Sequence, residues 1–170
     1  MEETEKAYYA GIFDGEGTIG IARNKPCNGR VSIQHTFSCA VAITDEQAAR
    51  DFLVFGGSLC KKHHFPKHPK WKPQWTWSIA SNQAVVFLEI LLPYLRLKAG
   101  QARLGIEFQV HRRNVHLGRN RTPEEELTKR DWYWRELRRL KDSRSPARLQ
   151  TPVRPPVSNA IDDNSGLTDR

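Results

Sequence analysis

Sulfur is scarce in this 170-residue chain, which holds three cysteines and one methionine. Cys27, Cys39 and Cys60 form no C-x-x-C pair and are odd in number, which argues against a disulfide framework and makes reduced thiols the expectation. No apolar run approaches the ~20 residues of a spanning helix. The opening Met1-Glu2-Glu3-Thr4-Glu5 is acidic, unlike a signal or transit peptide. These absences predict a soluble, intracellular protein with no membrane partner, in a bacterial or phage cytoplasm or an organelle, and not a secreted one. The most informative absence is local. No Asp or Glu lies between Gly17 and Thr44 or between Phe52 and Phe87, although the chain contains 19 acids.

Against those 19 acids stand 27 Lys and Arg, giving a net charge of +8 and a pI near 9.7. Such a balance suggests a polyanionic partner or an anionic membrane surface. The acid-free stretches are also the ones with strand patterning. The first reads as a strand over Thr18–Asn24, a turn, and a longer strand from Arg30 to Thr44 in which Val31, Ile33, Phe37, Cys39, Val41 and Ile43 alternate with small polar residues. The second reads as strands over Ser58–Phe65 and Trp71–Ala80, with Trp75, Trp77 and Ile79 on the core side. Thr44, with Gln47 three residues on, predicts a capped helix running through Phe55 to Gly56-Gly57. Ser81 or Asn82 should cap a helix from Gln83 to Leu92, and another helix is expected from Lys98 to Arg112.

A positive, hydrogen-bonding sheet face without negative charge suits duplex DNA. Lys and Arg would hold phosphates while short polar side chains read base edges from a β-ribbon. The candidates on the first hairpin are Arg23, Asn24, Lys25, Arg30, Ser32, Gln34, Thr36 and Ser38. Those on the second are Lys61, Lys62, His63, Gln74, Thr76 and Ser78. A zinc site built from Cys60, His63, His64 and His68 is disfavoured, because adjacent strand residues face opposite ways and the spacing matches no closed ligand set.

Ahead of both hairpins stands Tyr8-Tyr9-Ala10-Gly11-Ile12-Phe13-Asp14-Gly15-Glu16-Gly17, a helical pattern that ends in acid. Gly11 and Gly15 share one helix face and would let a second backbone approach closely. Gly15 and Gly17 should stop the helix, leaving Glu16 beside the unpaired carbonyls of the last turn, where the dipole is already negative. Two such helices packed on their glycines would bring together two carboxylates and two sets of carbonyls. That all-oxygen site suits Mg²⁺ and metal-assisted phosphodiester hydrolysis. Taken alone, the same residues also read as a short amphipathic helix closed by glycine, with solvated acids.

Tyr9 to Gly17 resembles the signature of the LAGLIDADG homing endonucleases. Ala10, Gly11, Asp14 and Gly17 are identical, Ile12, Phe13 and Glu16 are conservative, and Gly15 replaces an alanine. The resemblance covers roughly Tyr8 to His111 and implies an α+β fold, an αββαββα saddle with antiparallel sheet. It implies a site-specific double-strand DNA endonuclease in which Glu16 and the Gly15 carbonyl hold Mg²⁺ (or Mn²⁺). Leu92 to Lys98 resembles the family segment whose lysine lies near the scissile phosphate, so Lys98 is a candidate catalytic residue. The family's polar water-organising residue corresponds to Asp45, while a nearby basic position falls on Ala49. With one motif copy, the resemblance implies a homodimer on a pseudo-palindromic target, joined through Tyr8, Gly11, Ile12 and Gly15. The alternative is an RNA-splicing maturase or a non-cleaving DNA-binding regulator on the same saddle, which would make RNA a partner.

Residues 1–114 are therefore expected to form the endonuclease core. Thr122-Pro123-Glu124-Glu125 predicts a further helix with acids at its start and Arg138, Arg139 and Lys141 at its end, so 115–142 is expected to be a helical appendage packed through Trp132, Leu137 and Leu140. The Pro-rich, polar stretch 143–170 is expected to be a disordered tail.

Overall fold

Four stretches with a two-residue apolar period have only one face to bury, so helices must cover that face and leave the other bare. The computed structural model has this arrangement and describes residues 1–26, 32–62, 72–115 and 122–142. The elements are α1 (Glu3–Glu16), β1 (Gly17–Asn24), β2 (Gln34–Ile43), α2 (Glu46–Asp51), β3 (Ser58–Lys62), β4 (Gln74–Ala80), α3 (Ser81–Leu91), α4 (Ala99–Asn114) and α5 (Glu124–Lys141). A 3-10 turn, Phe52–Phe55, finishes the α2 segment before Gly56 and Gly57, both at positive φ. The fold is α+β, and the expected order of helix, hairpin, helix, hairpin and helices is observed.

The sheet is antiparallel throughout, in the order β1-β2-β4-β3, so the two hairpins meet along β2 and β4. Ile19 and Ile21 of β1, Phe37, Cys39 and Val41 of β2, and Trp77 and Ile79 of β4 are buried. They share one face by register, since Ile19 pairs with Cys39 and Cys39 with Ile79. Phe13, Phe52, Phe87, Leu88, Leu91 and Phe108 come down on them from the helices. Trp77 donates its indole N–H to the Gly56 carbonyl at 2.8 Å, so the largest core side chain is also satisfied. The expected phase of both hairpins is correct.

Two glycines are required by close approach. A methyl on Gly105 of α4 would lie 2.5 Å from the Phe37 ring, so only glycine lets this helix sit so near the sheet. A methyl on Gly17 would overlap both the carbonyl and the ring of Phe13. Gly17 itself has φ −75° and ψ 155°, open to any residue. Glycine is needed there for a steric reason, not for the permissive backbone expected of it.

Helix α5 packs on α4 and β1, and Tyr133 and Leu137 join the central hydrophobic cluster. Its polar anchors are buried as well. The Glu126 carboxylate accepts from Arg130 at 2.6 Å and meets His111 of α4 at 3.0 Å. Burial alone would raise the Glu126 carboxyl, but the hydrogen bonds and charges of His111 and Arg130 hold it below the ordinary range. Asp131 accepts from Arg23 at 3.0 Å and pairs with the fully buried His35 of β2 at 2.7 Å. Burial holds the His35 imidazole below its usual pKa, against the opposing pull of Asp131. The tail, 143–170, lies outside the described residues.

Candidate active site

The site grows from the end of α1. Ala10 and Phe13 bury one side of that helix, while Gly11, Gly15 and Glu16 remain exposed and Tyr8 is 56% exposed. A methyl on Gly11 or Gly15 would meet nothing within 4 Å. Nothing among the described residues therefore requires glycine at either position. Beside this bare face runs an open groove of about 520 Å³, lined by Gly11, Ile12, Gly15, Glu16, Ala42, Thr44, Asp45 and Gln74 among others. It unites the two acids singled out from sequence, Glu16 and Asp45, with the glycine face and with Gln74 of the polar sheet surface.

The lysine arrives from the other direction. Lys98 precedes α4, and its ammonium donates to the Asp14 backbone carbonyl, two residues before Glu16. Burial lowers its pKa from the ordinary lysine value, while the charges of Asp14 and Glu16 pull the other way. A half-buried ammonium beside two carboxylates is a poised cation. The turn carrying it is fixed by Asp14, whose carboxylate accepts the amide N–H groups of Arg96 at 2.7 Å, Leu97 at 3.1 Å and Lys98 at 3.0 Å. Sequence reading counted Asp14 as a motif match and assigned it no contact. Its partners lie 82 to 84 residues downstream, beyond any local pattern, and only the tertiary fold brings them within reach.

Asp45 is the N-cap of α2, its Oδ1 accepting the Ala48 amide at 2.8 Å. This moves the expected cap from Thr44 by one residue. Similarly, Ser81 is the first residue of α3, at φ 55°, because β4 runs into that helix without a loop. Ala49, within α2, is buried.

Opposite the helices, the sheet presents Asn24, Gln34, Thr36 and Ser38 from the first hairpin and Gln74, Thr76 and Ser78 from the second. The register places them on one face, with Asn24 opposite Gln34 and Ser78 opposite Ala40. Asn24 donates to the Thr36 hydroxyl at 3.0 Å, and Lys25 is exposed beyond it. Lys62 pairs with Gln74 in register.

Three expected DNA contacts are corrected. Arg23 shares the phase of Ile19 and Ile21, so it points to the helical side, where Asp131 and the Trp134 ring hold it. Lys61 likewise shares the phase of Leu59 and lies over the Trp75 ring at 4.8 Å. Ser32 precedes β2, is 7% exposed, and accepts the Thr122 amide at 3.0 Å, fastening the start of α5. Arg30 and His63 lie outside the described residues, as do His64 and His68 of the disfavoured zinc set. No cluster of three or more His, Cys, Asp or Glu side chains gathers among the described residues, and none of the described helices is long and apolar enough to cross a membrane.

Several solved structures share this architecture. The homing endonuclease I-CvuI, in complex with the I-CreI target in the presence of Mg with the DNA not cleaved, matches with a TM-score of 0.67 and 21% identity, over 82% of this chain and 83% of that one. The archaeal intron-encoded homing endonuclease I-Vdi141I, complexed with DNA, matches with a TM-score of 0.62 and 14% identity over 82% of this chain and 86% of that one. The I-SmaMI LAGLIDADG homing endonuclease bound to cleaved DNA gives 0.58 and 16%, covering 85% of this chain but 45% of that one. No family model and no curated protein matches the sequence. The chain thus has the α+β fold of the LAGLIDADG homing endonucleases, which bears out the resemblance read from Tyr9 to Gly17 at the level of the fold.

Proposed function

We propose that this protein is a site-specific, double-strand DNA endonuclease of the LAGLIDADG type, acting as a homodimer with Mg²⁺ or Mn²⁺. The observation that carries the reading is the position of Glu16. It ends α1 exposed in the groove shared with Asp45 and Gln74, within electrostatic reach of Lys98 and at the margin of a polar, hydrogen-bonding sheet face.

The donor set fits a hard divalent cation. The Glu16 carboxylate accepts no hydrogen bond among the described residues, and the Gly15 carbonyl, in the last turn, has no helical amide four residues on to bond it. Glu16 and Gly15 would hold the ion, with phosphate oxygens, water or a second copy of the chain completing its shell. When bound, such an ion stabilises negative charge developing on phosphodiester oxygens. Lys98, held beside that charge, stabilises it further or polarises the attacking water. Asp45 keeps one carboxylate oxygen for its capping bond and can turn the other to groove water. Gln34, Thr36, Ser38, Gln74 and Thr76 read base edges of one half-site.

The dimer reading is supported by the glycine face. Gly11 and Gly15 are not needed by the fold of one chain, yet a second α1 crossing there would need both bare. A closed pair would align two sheets along a pseudo-palindromic target and supply the second cutting centre. Cleavage of a randomised DNA library with Mg²⁺, compared with Glu16→Gln, tests the proposal. Cutting by both proteins alike, or by neither, overturns it.

A further inference from the structure

We propose that Asp14 is a positioning residue of this hydrolytic site, which clamps the turn Arg96–Lys98 to the end of α1 and so keeps Lys98 beside Glu16. The inference rests on the nuclease reading above and extends it to a residue that touches neither metal nor substrate.

The geometry does the work in two directions from one residue. The Asp14 carboxylate takes three consecutive amides, two on Oδ2 and one on Oδ1. Its backbone carbonyl accepts the Lys98 ammonium. Side chain and main chain of one residue therefore hold both the backbone and the tip of the same lysine. Three charge-assisted bonds to successive amides fix the local backbone more tightly than a neutral cap, which satisfies one or two donors. Around this clamp the turn is otherwise loosely covered: Leu97 is 77% exposed and Arg96 is exposed, while Leu95 alone is anchored in the core. Without Asp14 the turn would retain Leu95 and the start of α4, but Lys98 would regain its rotamers. A lysine charge displaced by about 1 Å can cost a large factor in rate without loosening substrate binding, because its contribution is to the transition state.

The test uses the full chain in three forms: wild type, Asp14→Asn and Asp14→Ala. Hydrogen exchange at fixed pH, without DNA or metal, reads the amides of Arg96, Leu97 and Lys98; cleavage with Mg²⁺ reads kcat and KM. Asp14→Ala should raise exchange at these three amides at least about tenfold, the amount that loss of one stabilising bond permits, while the amides of β2 keep wild-type protection. Its kcat should fall at least as far with KM within a few-fold. Asp14→Asn retains one acceptor oxygen and should recover part of both, which also serves if Asp14→Ala does not fold. Wild-type exchange rates at the three amides in a folded variant overturn the clamp. Raised exchange with unchanged kcat overturns the positioning role and leaves the nuclease reading standing. A wild-type protein that shows the protected amides but cuts no DNA overturns the nuclease reading itself and removes this role with it.

Discussion

Replacing Gly11 by leucine should move the stability of the single chain and the stability of the dimer in opposite directions. In the monomer a β-carbon at Gly11 enters open space, with nothing within 4 Å. Glycine inside a helix costs roughly 0.5–1 kcal/mol relative to alanine, and leucine has nearly the same propensity as alanine, so the isolated chain should gain about that much. At about 3 °C per kcal/mol for a body of this size, its melting temperature should rise by about 2–3 °C. The dimer should lose far more, since a leucine between two crossing helices separates them and draws both Glu16 carboxylates out of position. Dimer linkage makes melting concentration-dependent, and each tenfold in concentration is worth about 1.4 kcal/mol per dimer. Thermal unfolding across about a thousandfold range of concentration should therefore slope upward for wild type and stay flat for Gly11→Leu. The two curves should cross, with the variant the more stable when dilute. Sedimentation should show a monomer, and DNA cutting should be lost. A flat wild-type curve, or a variant that dimerises and cuts normally, would refute the assignment of this face.

Glu16→Gln should abolish cleavage while leaving DNA affinity within a few-fold, because the amide keeps the shape and loses the charge that holds a cation; binding and cutting assays on one target separate the two. Lys98→Met should slow cutting by about 10²-fold or more with little change in Kd, whereas equal losses would make it an ordinary phosphate contact. Glu126→Ala strips the buried Arg130 of its partner and should cost about 3–5 kcal/mol in denaturant unfolding, and Arg130→Met in the same chain should restore most of it. Acid should weaken the docking of α5 through two groups. Glu126, with its folded pKa depressed, stabilises above the ordinary carboxylate range and loses that contribution as pH falls through its folded value. His35, also depressed, is held neutral in the fold, so the unfolded chain takes up its proton first and stability declines as pH falls below the ordinary histidine value. Stability measured from pH 8 down through the whole carboxylate range should fall over both intervals, and His35→Gln should flatten only the upper one.

Much of the fold was legible because strand phase is a strict local rule. Once Phe37, Val41, Trp77 and Ile79 were placed inside, every second residue of β2 and β4 had to lie outside, and the polar face followed. Two of the three corrected contacts come from not applying that rule to charged residues. Arg23 is in phase with Ile21 and Lys61 with Leu59, so both were bound to lie on the helical side. Ser32 obeyed the alternation but not the strand, which begins at Gln34. What covers it, the start of α5, is 90 residues away in sequence.

The same division explains the site. Glu16 was legible because a helix end is a local event, and the glycine face because period 3.6 aligns Gly11 with Gly15. The polar network under α5 was not, because the pairing of His35 with Asp131 spans 96 residues and neither residue stands in a recognisable pattern. Nor was the clamp of Asp14 on Arg96, Leu97 and Lys98. The consequence is a difference in how each part should fail. Locally coded parts, such as the end of α1, depend on single irreplaceable residues, as Gly17 does where any β-carbon would strike Phe13. The long-range parts are held by several bonds converging on one carboxylate: Asp14 takes three amides, Asp131 takes Arg23 and His35, and Glu126 takes Arg130 and His111. Removing a donor from such a hub leaves its other partners in place, whereas removing the carboxylate orphans them all. Asp131→Ala should therefore destabilise the chain more than Arg23→Ala does, by about 1–3 kcal/mol, because it also leaves the buried His35 without its partner. Denaturant unfolding of the two variants checks this, and equal losses would show that the hub is not shared.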